Sequence, residues 1–267
     1  MSKSKTICAV VLSVLLAACG SGGGGGGSSS SSSTPASSPV ASTASFPIES
    51  TVVSLVTTSS AYTVYATDTQ GNGYTLTVSY SPGTSTYYQY ISSAALPTFT
   101  QTGLLKVNGV TSGTSSAQVF YSTGPFLVWG GTDGSSTTGA TTFEYMRTSA
   151  QAPLPATAKV VATGSIYSGT QYRTFCFNTA DCSVSANYRT ITLGTQSATW
   201  SLEADTETTA WLCVNITTID QTVLDTQTTV EADCFRINQA GAISAFKTDI
   251  TTSSTALGST PTTLKFR

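Results

Sequence analysis

The chain contains no histidine among its 267 residues, and this absence limits the chemistry that it can perform. Histidine is the commonest general base and the usual partner of a catalytic serine or cysteine, so Ser-His-Asp and Cys-His arrangements are excluded. The Gly-x-Ser-x-Gly motif is missing as well. A zinc site is disfavoured because the chain has neither histidine nor a Cys-x-x-Cys pair. We therefore predict that the protein is not an enzyme and holds no metal and no cofactor.

Charged residues are also scarce, at 9% of the chain, whereas an ordinary soluble domain has about 25%. The 13 acidic residues outnumber the 11 basic ones. Without a surplus of basic residues to neutralise phosphates, the chain is not expected to bind nucleic acid. Low charge combined with abundant threonine, tyrosine and valine is typical of β-sheets exposed outside the cell.

The apolar run Ile7–Ala18 is too short for a membrane-spanning helix, because it has 12 residues and a span needs about 20. Two lysines, Lys3 and Lys5, precede the run, and small residues end it. This combination is the pattern of a secretory signal. Residues 1–18 are accordingly predicted to be a signal peptide.

The run ends in Leu16-Ala17-Ala18-Cys19, which resembles the lipobox of bacterial lipoproteins. The resemblance implies cleavage before Cys19, a diacylglycerol on its thiol and a fatty acid such as palmitate on its new amine. The membrane would then be a partner through this lipid. Because Gly20 rather than aspartate follows the cysteine, the resemblance also implies the outer membrane. An ordinary signal peptide cut after Ala18 is the alternative.

Residues 19–45 are predicted to be a disordered tether. Gly20–Ser33 is almost entirely glycine and serine, and such a segment offers no apolar surface to offset its loss of chain entropy on folding. A Gly-rich coil of this length spans roughly 30 Å between its ends. The tether would therefore hold a folded domain away from the membrane.

Short alternating runs separated by turn residues follow the tether. In Tyr74–Tyr80, every second residue is apolar or aromatic, which predicts a strand with one buried face. Asp68–Gly73 and Asn108-Gly109 are predicted to be hairpin turns. No stretch keeps a helical apolar period for three turns. We predict an all-β fold, an antiparallel β-sandwich or barrel.

Two prolines, Pro153 and Pro155, resist both helix and central strand. We place a boundary there and predict two β-domains, residues 46–152 and residues 156–267. Distant duplication of the two halves remains an open alternative.

Four cysteines lie in the second predicted unit, which is consistent with two disulfides in an exported chain. Three pairings are open. Closure of local loops favours Cys176–Cys182 and Cys213–Cys234, which would contribute about 2.5 and 3.5 kcal/mol.

Exposed aromatic side chains are the candidate binding residues. Tyr87, Tyr88 and Tyr90 cluster in sequence, and Trp129 follows a Gly-Pro turn. Such rings can stack on sugars or anchor a protein partner, although in a β-rich chain they can equally be packed strand residues.

These observations predict a lipid-anchored cell-envelope protein that acts as a non-catalytic binding module, with a glycan or an envelope protein as its partner. A periplasmic structural or assembly lipoprotein is the first alternative. A hydrolase that uses the acids around Asp205, with Glu203 and Glu207, is the second. The side of the outer membrane that the domain faces stays open.

Overall fold

The structure is a computed structural model that describes residues 42–88, 91–133, 142–176, 188–221, 225–255 and 260–267. The predicted signal peptide, Cys19 and most of the predicted tether lie outside the described residues. The helix and strands are α1 (Glu49–Thr57), β1 (Ser45–Pro47), β2 (Ser60–Thr67), β3 (Gly73–Thr86), β4 (Leu96–Val107), β5 (Val110–Thr123), β6 (Phe126–Asp133), β7 (Thr142–Gln151), β8 (Thr157–Lys159), β9 (Thr163–Cys176), β10 (Tyr188–Ala204), β11 (Thr209–Gln221), β12 (Thr226–Asn238), β13 (Ile243–Ser254) and β14 (Thr262–Phe266).

Twelve strands form one antiparallel sheet in the order β14-β13-β12-β11-β10-β9-β7-β6-β5-β4-β3-β2. The two edge strands meet, because Tyr65 and Arg267 exchange backbone hydrogen bonds of 2.9 Å in both directions. The sheet is therefore a nearly closed, barrel-like structure, and the all-β antiparallel prediction is confirmed. β1 and β8 form a separate two-stranded sheet.

The two units predicted on either side of the prolines share this sheet. β7 pairs with β9 from Thr142 opposite Phe175 to Gln151 opposite Tyr167. Pro153 lies in the connection that follows β7, where its missing N–H costs no ladder hydrogen bond. The boundary is thus a connection within one sheet, which differs from the division into residues 46–152 and 156–267.

The inner face of the sheet carries the main core. Tyr74, Leu76, Val78 and Tyr80 of β3 are buried, as the alternation predicted. An eight-stranded barrel is just wide enough for side chains to fill, so twelve strands enclose a larger lumen. Large rings occupy part of that space, including Tyr62, Tyr80, Phe99, Tyr121, Phe126, Phe235 and Phe246.

Helix α1 was not predicted, because its nine residues are rich in valine, threonine and serine and make only about two and a half turns. Tertiary contacts hold it across one end of the lumen. The Glu49 Oε1 atom accepts a 2.9 Å hydrogen bond from the Phe126 backbone N–H. The Thr51 hydroxyl donates to the Pro47 carbonyl at 2.7 Å. Packing, rather than intrinsic propensity, therefore stabilises this helix.

The local predictions about turns and one disulfide are confirmed. Asn108 and Gly109 have φ values of 49° and 82°, as a type I′ turn requires. Cys213 and Cys234 lie opposite each other on β11 and β12 and are bonded. Cys176 is also disulfide-bonded, but Cys182 lies outside the described residues, so that pairing stays a prediction.

The first described residues, from Ser42 on, include the last part of the predicted tether and are already held by contacts to the rest of the protein. The Ser42 hydroxyl donates a 2.7 Å hydrogen bond to the Glu207 carbonyl, and β1 begins at Ser45. Within the described ranges, no helix combines the length and the apolar character that crossing a membrane requires.

Candidate functional site

A cavity of about 110 Å³ lies in the lumen, between α1 and the inward faces of nine strands. Its walls are mainly aliphatic and aromatic. The larger apolar side chains that line it are Val52, Leu55, Val56, Phe99, Val119, Phe126, Val128, Met146, Ile166, Val214, Ile216 and Phe235. A mostly apolar, concave site with a few polar groups is the usual form of a small-molecule binding site.

Gln101 and Gln196 are two of the polar residues in the wall, and they differ in how they are satisfied. The Gln196 side chain accepts from the Tyr167 hydroxyl at 2.8 Å and donates to the Thr218 hydroxyl at 3.2 Å. The Gln101 side chain is only 5% exposed, and its Nε2 atom has no hydrogen-bond partner. Because a buried amide nitrogen without a partner is costly, Gln101 is the better candidate of the two residues for a contact with a ligand.

Asp233 of β12 is the acidic residue in the wall, and it is 3% exposed. Burial raises the pKa of its carboxyl to about 6, although hydrogen bonds with Thr248 and Glu231 lower it. Its Oδ1 atom has no hydrogen-bond partner. The site therefore contains a carboxyl group whose charge state changes close to neutral pH.

Two neighbours share this environment with Asp233. Glu231 lies two residues earlier on β12 and is fully buried. Burial also raises the pKa of Tyr80 well above its ordinary value, and the charges of Asp233 and Glu231 raise it further. None of the described residues that line the cavity is a lysine or an arginine. The lumen is thus an apolar space with an acidic side.

The predicted aromatic residues lie elsewhere. Tyr87 is 57% exposed, and Trp129 is 36% exposed on β6, where it alternates with the inward-facing Val128. The half-buried Tyr88 packs against Phe120, with 6.0 Å between ring centres. Tyr90 lies outside the described residues. The structure places Tyr87, Tyr88 and Trp129 away from the lumenal cavity, and their role in binding stays a prediction.

The acids considered for hydrolysis do not follow one strand face, because β10 ends at Ala204. Asp205 lies in the connection to β11 and forms an ion pair with Arg236 at 2.6 Å. Partial burial raises the pKa of Asp205, but hydrogen bonds from Thr209 and Arg236 outweigh it and hold the pKa below its ordinary value. Glu203 lies 3.7 Å from Lys247, and Glu207 is exposed. These acids lie apart from the lumenal cavity.

Sequence reasoning missed Gln101, Glu231 and Asp233. A signal was present for the two acids, since Glu231 and Asp233 share the two-residue period of Phe235 and Ile237 on the buried face of β12. The same kind of signal marked Gln101, because it shares the two-residue period of Phe99 and Leu105 on the buried face of β4.

Comparisons of the chain with protein-family models, with curated proteins and with solved structures find no match. The cavity is therefore interpreted from its own geometry and chemistry.

Proposed function

We propose that this protein is a non-catalytic binding protein of the cell envelope, anchored through a lipid on Cys19, whose barrel-like domain binds a small, mainly apolar molecule in its lumen. The observation that carries the proposal is the lumenal cavity with apolar walls and two buried polar side chains, Gln101 and Asp233, each of which has one atom without a hydrogen-bond partner.

The size and lining of the cavity support a small ligand. Its volume of about 110 Å³ approaches the roughly 150 Å³ at which a buried apolar cavity accepts benzene. Transfer of apolar surface from water to such walls contributes about 25 cal/mol per Å². A ligand with a short aliphatic chain or a small ring matches these dimensions.

The position of helix α1 suggests how a ligand could reach the cavity. Its Leu55 side chain lines the lumenal cavity and also a crevice of about 160 Å³ that borders the β12–β13 connection at Gly241. A short helix with space on both sides can be displaced at lower cost than a strand of the sheet. We infer that the ligand enters the lumen past this helix.

Met146 provides a direct test, because Met1 and Met146 are the only methionines in the chain and Met146 lines the cavity. The full-length protein, labelled with ¹³C at the methionine methyl groups, is titrated with benzene and with 1-butanol. We expect a saturable shift of the Met146 methyl resonance. The Met146→Leu variant identifies that resonance by its loss.

A cavity-filling substitution tests whether the Met146 shift arises from binding inside the cavity. Ala117→Leu adds side-chain volume to the cavity wall, whereas Thr102→Leu adds the same side chain at an exposed position of β4. Ala117→Leu is expected to raise the probe concentration at half-saturation of the Met146 shift at least tenfold. Thr102→Leu is expected to leave that concentration unchanged. If neither probe shifts Met146 in the folded wild-type protein, the proposed lumenal binding is wrong.

A further inference from the structure

We propose that the lumenal cavity selects ligands that carry a protonated primary amine on a short apolar body. This inference rests on the proposed function, because it names the chemical class that the same cavity binds. It is based on three features that meet in one cavity, namely the Asp233 carboxylate, the Gln101 amide and the apolar walls.

The described lining of the cavity offers the Asp233 carboxylate no positively charged partner. The described lining contains no lysine or arginine, and the neighbouring Glu231 adds a second acid to the same inward face of β12. A buried carboxylate without a positive partner is strongly disfavoured, because it loses its hydration and gains no opposite charge. An ammonium group on the ligand would supply the missing charge in a medium where charge pairing is stronger than in water.

Gln101 supplies an independent indication, because it is a neutral side chain on a different strand. Gln101 is only 5% exposed, and its Nε2 atom lacks a hydrogen-bond partner within the described protein. A half-turn of the amide exchanges its nitrogen and oxygen, so Gln101 can offer an acceptor to the cavity. An ammonium group has three N–H donors, and Asp233 and Gln101 together would accept two of them.

The same features disfavour other ligand classes. An anionic ligand would meet the Asp233 carboxylate, and the described lining of the cavity offers no lysine or arginine to offset the repulsion. A neutral alcohol can donate one hydrogen bond to Asp233, but it brings no charge. The volume of about 110 Å³ restricts the apolar body to a short chain or a small ring.

The test compares two probes of nearly equal shape, n-butylamine as its ammonium ion and neutral 1-butanol, in the Met146 methyl titration at pH 7.5. Butylammonium is expected to saturate the shift at a concentration at least tenfold lower than 1-butanol. Asp233→Asn should abolish this preference, because it removes the negative charge that would pair with the ammonium group. Glu207→Gln, which removes a charge at an exposed turn, should keep the preference.

The outcomes separate this inference from the proposed function. Equal affinity for the two probes would overturn amine selectivity and leave lumenal binding standing. A response to neither probe, at up to about 50 mM, would overturn both, since even very small ligands of ordinary efficiency bind in that range. The comparison of probes on the wild-type protein needs no variant, so the inference stays testable if Asp233→Asn fails to fold.

Discussion

Asp233 and Glu231 are buried acids in a chain where charged residues are only 9% of the total. Selection for stability alone favours apolar residues at such positions, because taking a carboxylate out of water is costly. Titratable groups whose pKa values are strongly perturbed tend to gather at functional sites. The burial of these two acids is therefore the residue-level feature that most needs a functional reason, and ligand binding provides one.

Asp233→Asn is expected to stabilise the folded protein at pH 7.5 by about 2–3 kcal/mol, because the buried carboxyl has a pKa of about 6 in the fold and about 3.9 when unfolded. A raised carboxyl pKa means that the carboxyl group stays protonated to a higher pH in the folded state than in the unfolded state. The contribution of Asp233 to stability is then full below pH 4 and is lost as the pH rises through about 6.

Urea denaturation of wild type and variant at pH 4 and pH 7.5 measures this effect. The gain in the free energy of unfolding should be present at pH 7.5 and should shrink towards zero at pH 4. An equal gain at both pH values would contradict the raised pKa.

Among the elements, α1 shows how a short segment gains its conformation from its surroundings. The backbone N–H of Glu49 donates to the Pro155 carbonyl at 3.2 Å, and that of Ile48 donates to the Ala156 carbonyl at 3.1 Å. These bonds satisfy donors at the beginning of the helix that have no partner within it. The proline-rich connection is thus a support for the helix rather than a spacer between domains.

An added methyl group at Gly241 is expected to disturb the packing of α1 against the β12–β13 connection. It has a φ of +80°, and a Cβ there would lie 2.6 Å from the Thr51 hydroxyl and 3.0 Å from the Pro47 side chain. Gly109 has almost the same φ, +82°, but open space around it. Gly109→Ala should cost about 1 kcal/mol from backbone strain alone.

Gly241→Ala should cost about 1–3 kcal/mol more than Gly109→Ala, because the added methyl group overpacks the contact with α1. The difference in the free energy of unfolding measures the contact, and amide hydrogen exchange over residues 49–57 shows whether the helix opens. If the two variants lose the same stability, the contact between Gly241 and α1 contributes nothing.

At the scale of the whole molecule, the first described strand of the large sheet meets the last. The hydrogen bonds between Tyr65 and Arg267 join β2 to the end of β14, and Phe266 beside them is fully buried. Closure covers edge strands that would otherwise invite pairing with other chains. It also encloses the lumen in which the cavity lies.

The anchor belongs to the same scale, since it would place this domain at a membrane. Cys19→Ala is expected to abolish incorporation of an alkyne-labelled palmitate in cells, because the proposed lipid attaches at that residue. Cys8→Ala is the matched control, as Cys8 lies in the predicted signal peptide and should leave labelling intact. Labelling of the Cys19→Ala protein would contradict the proposed anchor.

Much of the fold could be predicted because it depends on local periodicity. The two-residue alternation of Tyr74–Tyr80 determines which side chains of β3 face inward, and Asn108-Gly109 accepts the positive φ values of its turn. The pairing of Cys213 with Cys234 followed from the short loop between them. Each of these features is decided by residues that are near one another in the chain.

The sequence by itself determined the strands, their turns and the inward pattern of apolar residues. Only the tertiary structure decided that the two halves share one sheet, that Glu49–Thr57 is helical, and that Gln101 and Asp233 line the same cavity. Each of these depends on contacts between distant segments, such as β7 with β9 or α1 with Gly241. Local propensity carries no information about such contacts, because their energy appears only when the sheet closes around the lumen.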